Sequence, residues 1–168
     1  MDDRAVVARQ LGREPRAFGR VAVRCPFGLP AVTEQLPYDQ EGEPFPTMYY
    51  VTCRHLVAAI ARLEAAGGVE RWSGEVERDP DLAADLERAT EEQRHVRADL
   101  AGGATGKDGG ASLGLGIGGS ANPRRLKCLH AHAAYALACP GYLLGERIVA
   151  EIEPLWPPDR CCTAEGVT

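Results

Sequence analysis

The stretch "TMYYVTCRHLVAAIARLEAAGG", residues 47–68, changes period partway along. Its first six residues are β-branched or aromatic apart from Met48, and they read as a strand over 47–52. From Cys53 the apolar positions fall at Leu56, Ile60 and Leu63, one face of a helix expected to run to about Ala66. Thr52 stands where a cap is needed and Gly67 where a helix stops. This junction sets the fold class, with strands before it and helices after it.

Upstream, "GRVAVRC" (19–25) alternates Val21 and Val23, and "AVTEQL" (31–36) supplies a further strand. "PFGLP" breaks the chain between them, and "PYDQEGEPFP" (37–46) is a turn-rich loop. "DRAVVARQL" (3–11) is expected as a short helix stopped by Gly12. Downstream, residues 78–101 read as a helix with Asp79 as its cap and Pro80 as its first residue, its charges on a solvated face. Residues 102–120 hold nine glycines, so 102–121 is expected as a flexible loop. Asn122 and Pro123 then open a helix over 123–138, "CPG" (139–141) ends it, and 142–156 form the last helix. The expectation is an α+β protein: an antiparallel sheet of about three strands near the N-terminus, packed against four to five helices. It is a single globular domain over 1–162 with a frayed tail at 163–168.

A chain of 168 residues can bury a core without disulfide staples, and its 45% apolar content excludes wholesale disorder. The net charge of −5 argues against a nucleic-acid scaffold and leaves the partners open, a protein among them. No apolar run approaches the roughly 18 residues of a membrane span, and the start lacks the basic and apolar regions of a leader. A cytoplasmic location is expected. There the six cysteines are metal ligands, reactive thiols or buried free thiols rather than a disulfide framework.

"LKCLHAHAAY" (126–135) carries Cys128, His130 and His132 two residues apart. On a regular helix Cys128 and His132 share a face that continues to Tyr135, while His130 falls on a mostly apolar stripe and turns inward. Zinc takes four thiolate or imidazole ligands. Cys25 at a strand end, Cys53 at a helix start, Cys128 and either His132 or His130 would fill its shell, structural or catalytic. No pair has the local C-x-x-C spacing, and buried free cysteines are the competing reading.

A different class of function comes from "GLGIGGSANPRRLK" (114–127), whose glycines feed a helix start beside basic residues. Gly118, Gly119, Arg124 and Lys127 could hold a phosphate through backbone amides and positive charge. The pattern G-x-x-x-x-G-K-[ST] is absent, so no nucleotide loop is implied. A reactive cysteine beside this loop would make the chain an enzyme. Cys53, expected at the first helical position, is better placed for ionisation than Cys128, expected in a second turn, with His55, His130 or His132 as base.

Five segments, "VARQLGREPR", "RCPFGLPAV", "PFPTMYYVTC", "AIARLEAAG" and "KCLHAH", together resemble the family called Domain of Unknown Function 501, over residues 7 to about 145. The resemblance implies no particular activity. It implies an actinobacterial setting near a septum-formation gene, and hence an interaction module for cell division or the envelope. In the family pattern Cys25 matches the cysteine of "RCP", and Lys127 to His130 match "KCLH". The position of Cys53 is Cys or His there, an exchange zinc tolerates. A histidine often stands where this chain has Tyr135. That departure leaves the fourth ligand open between His132, by geometry, and His130, by family pattern. Cys161 and Cys162 are not a firm part of the pattern.

Overall fold

The computed structural model describes residues 2–162. The tail expected to fray, 163–168, lies outside the described residues. β1 (Phe18–Arg24), β2 (Pro30–Gln35) and β3 (Tyr49–Val51) pair in that order as an antiparallel sheet. β2 is the central strand and is buried along its whole length. The β1–β2 hairpin closes where the Gly28 amide donates to the Cys25 carbonyl and the Cys25 amide to the Leu29 carbonyl, each at 2.9 Å. Pro26 presets the backbone angle that the first inner position of this turn requires. Glu34, buried on β2, accepts from Arg20 on β1 at 2.6 Å, so its charge stays paired inside the sheet.

α1 (Asp3–Leu11) starts on Asp2, whose side chain accepts the Arg4 amide, and Gln10 Nε2 donates to the Pro30 carbonyl at 2.8 Å, fixing the helix to β2. α2 (Arg54–Ala65) buries Leu56, Ala59 and Ile60. Its N-cap is Cys53, not Thr52, and no side chain caps it. α3 (Gly68–Arg78) was not expected. Gly67, at φ 85°, ends α2 and serves as N-cap of α3, so the glycine pair turns the chain rather than ending helical structure. α3 buries Trp72 and Val76 one turn apart.

α4 (Pro80–Ala101) begins as its sequence predicts, with Asp79 accepting from the Asp81 and Leu82 amides and Pro80 in the first turn. Its inner face runs Leu82, Leu86, Ala89, Thr90, Gln93, Arg97. Arg97, expected on a solvated face, is fully buried and donates to the Phe45 carbonyl at 3.0 Å. The glycine-rich stretch packs through two short 3-10 helices, Ala111–Gly114 against α4 and Ile117–Gly119 against the α-helix that follows. Ser112, Ile117 and Gly118 are buried there. The Ser112 side chain, with the Ser112 and Gly110 amides and the Tyr38 hydroxyl that donate to Asp108, holds its carboxyl well below the usual carboxylate range.

α5 (Leu129–Ala138) starts later than the Asn122–Pro123 signal predicts. Ser120 Oγ donates toward the carbonyls of Asn122 (2.6 Å) and Arg125 (3.0 Å), which holds 120–125 in a turn. α6 (Leu143–Ala150) also falls short of the expected 142–156. α5 is buried almost all round, and its alanines let α6 come close. A Cβ on Gly145 would lie 2.5 Å from the His132 carbonyl and 2.6 Å from Ala136 Cβ. α5 packs against β3, α2 and α6. The protein is α+β, with six α-helices among the described residues. None of these is long and apolar enough to cross a membrane.

Candidate functional site

A cleft of about 500 Å³ opens between α2, β3, the end of α1 and the first turn of α5. Leu11, Val51, Val57, Ala58 and Ala131 make its apolar walls. Its polar lining includes Gln10, Tyr50, Thr52, Arg54, Cys128 and His130. Arg54 leans on α1, donating to the Arg9 carbonyl at 2.9 Å, a favourable place for a cation at a helix C-terminus.

Because α5 begins at Leu129, Cys128 is its N-cap, with extended backbone (φ −154°, ψ 154°), rather than a second-turn residue. Burial pushes its thiol pKa up and Glu64 pushes the same way, while the amides of Ala131 and His130 pull against them. The net direction is upward, so the thiol rests protonated. His130, expected to turn inward, is half-buried and lines the cleft. Its Nδ1 lies 3.0 Å from Glu64 Oε1, and that oxygen also accepts the Leu129 amide at 2.7 Å. Glu64 therefore satisfies the start of α5 and fixes the imidazole with one carboxylate.

His132 is the inward histidine. It is 1% exposed, and its Nδ1 lies 2.7 Å from the Tyr142 hydroxyl. Burial holds its pKa down at about 4 and the Tyr142 hydroxyl well above its ordinary value, so a neutral imidazole meets a neutral phenol. Tyr135 joins the same cluster edge to face, its ring 5.2 Å from Tyr142 and 5.5 Å from Tyr49. The stripe of Cys128, His132 and Tyr135 read from the sequence is thus split between the cleft and the core.

The remaining zinc candidates stand apart as well. Cys25 Sγ lies 3.8 Å from Cys161 Sγ, and Cys53 Sγ lies 3.6 Å from Cys162 Sγ. Among the described residues, no three His, Cys, Asp or Glu side chains come together where a metal ion could sit. Nor is Cys53 an ionised thiol at a helix start: burial, with Cys162 beside it, pushes its pKa up to about 12. His55 faces the Pro154 carbonyl at 3.2 Å.

The anion candidates divide too. A Cβ on Gly118 would lie 3.6 Å from Cys128 Sγ, so this glycine borders the Cys128 corner, whereas one on Gly119 would lie 2.9 Å from Pro46 Cβ and 3.9 Å from Lys127 Nζ. Arg124 instead lines a separate groove with Arg94 and Asn122 along α4. Sequence reasoning missed Glu64, whose partners Leu129 and His130 lie 65 and 66 residues along the chain.

Neither a curated protein nor a solved structure matches the chain. The family model described as "Protein of unknown function (DUF501)" matches residues 21–150. The chain belongs to the DUF501 family.

Proposed function

We propose that the chain binds a small molecule with an apolar body and a phosphate or similar anionic end, and that Cys128 is the reactive group beside it. One observation supports this reading: a cleft of about 500 Å³ with apolar walls has a single corner where Cys128 and His130 meet the start of α5. The volume falls within the roughly 300–1,000 Å³ of small-molecule sites. At that corner the first turn of α5 favours negative charge, and the Lys127 charge acts on Cys128 in the same sense. Glu64 is bonded to the Leu129 amide and faces His130 Nδ1. With Nδ1 held by Glu64, His130 keeps Nε2 for the ligand or for the proton of Cys128.

Anilinonaphthalene sulfonate, an apolar body with one anionic end, is a suitable probe. The account expects saturable one-to-one binding by the folded protein. Ala58→Trp, which fills the cleft, should weaken it by at least about tenfold, a loss of about 1.4 kcal/mol. Binding that Ala58→Trp leaves unchanged, with circular dichroism showing the fold intact, would place the probe elsewhere and end the proposal.

A further inference from the structure

Four of the six cysteines lie away from the cleft's reactive corner, in two facing pairs. Cys25 ends β1 and Cys53 follows β3, and their amides donate to Leu29 and Ala31 on either side of the start of β2. The segment after α6 returns across this end of the sheet and presents Cys161 to Cys25 and Cys162 to Cys53. The sulfurs stand 3.8 Å and 3.6 Å apart, in van der Waals contact, while their residues are 136 and 109 positions apart in the chain. Neighbouring residues that each meet a different buried partner cannot be explained by packing of one free thiol. Among the described residues no group of three metal-ligating side chains forms, and each of these thiols faces one other sulfur, the geometry of a pairwise bond.

We propose that the two pairs are sites of reversible oxidation, forming the disulfides Cys25–Cys161 and Cys53–Cys162 on exposure to a low-molecular-weight disulfide and thereby fastening the C-terminal segment to both flanks of β2. Cys162 is half-buried whereas Cys53 is buried, so Cys162 is the entry point of its pair. Its thiolate attacks one sulfur of the small disulfide, releasing one small thiolate and leaving a mixed disulfide. The Cys53 thiolate then attacks the Cys162 sulfur and expels the second small thiolate. Two protein thiols are oxidised by two electrons, one small disulfide is reduced to two thiols, and the protons lost by the protein end on them. The Cys25–Cys161 pair reacts independently by the same exchange, and more slowly because both of its thiols are buried. Closure draws each pair from contact to about 2.05 Å. The high pKa values of Cys53 and Cys25 make the exchange slow at neutral pH and faster in alkali.

The test treats the reduced full-length chain with oxidised glutathione, alkylates the remaining thiols and identifies them by mass spectrometry. Cys25 and Cys53 share one tryptic peptide, as do Cys161 and Cys162, so single variants assign the pairs. In Cys161→Ser the proposal expects Cys53 and Cys162 to be bonded and Cys25 to remain alkylatable. In Cys162→Ser it expects Cys25 and Cys161 to be bonded and Cys53 to remain free. Absence of intramolecular bonds, a Cys25–Cys53 or Cys161–Cys162 bond, or one zinc ion protecting all four thiols from alkylation would each overturn it.

Discussion

Glu64 Oε1 lies 3.0 Å from His130 Nδ1 and 2.7 Å from the Leu129 amide, so one carboxylate on α2 both starts α5 and orients the imidazole of the cleft. The same charge raises the Cys128 thiol pKa. Glu64→Gln keeps an oxygen for the Leu129 amide and removes the charge. The expected result is faster alkylation of Cys128 by iodoacetamide at pH 7, with stability lowered by about 1 kcal/mol for the weakened helix start. Urea unfolding and the alkylation rate measure the two effects separately. A slower or unchanged rate would show that Glu64 does not act on the thiol.

His132 makes stability depend on pH in a stated direction. Folded, it stays neutral down to about pH 4, because burial disfavours its charge. The unfolded chain takes up the proton below about pH 6.5. Between these values the unfolded state binds more protons, so stability falls as pH drops through the window and levels off below it. The full loss from this group is roughly 3 kcal/mol. Urea unfolding at several pH values should show a shallower acid dependence in His132→Phe than in the wild type.

Gly145 permits the close crossing of α5 and α6. Gly145→Ala places a methyl group against the His132 carbonyl and Ala136 Cβ, both nearer than real carbon contacts. The expected cost is about 1–3 kcal/mol, read as a lowered thermal midpoint. An unchanged midpoint would mean the helices separate freely.

Arg97 pins the loop before β3, which Tyr38 ties to the glycine-rich stretch through Asp108. It donates to Phe45 and lies in the field of Asp108 and Tyr38, which bind the stretch in turn. Arg97→Ala is expected to cost roughly 2–4 kcal/mol through the cavity and the freed carbonyl. It should also speed tryptic cleavage after Lys107. Equal cleavage rates in variant and wild type would contradict the anchoring role.

Much of the fold follows from local pattern. The strand-to-helix switch at Thr52 to Arg54 and the Asp79–Pro80 start of α4 are visible because period and caps act over a few residues. α3 was hidden because a glycine pair that turns the chain looks like one that ends it. The start of α5 was misplaced because Asn122 and Pro123 carry a helix-start signature while Ser120 ties the carbonyls of Asn122 and Arg125 into a turn. That shift changes the site, turning His130 into the cleft and His132 into the core. The partners of Cys25 and Cys53 lie more than a hundred residues away, where no spacing rule reaches.

The most direct test is the alkylation rate of Cys128, read by mass spectrometry, with and without saturating anilinonaphthalene sulfonate. A ligand seated at the Cys128–His130 corner predicts a rate that falls in proportion to occupancy, by about tenfold or more near saturation. An unchanged Cys128 rate while the probe is fully bound would contradict the account.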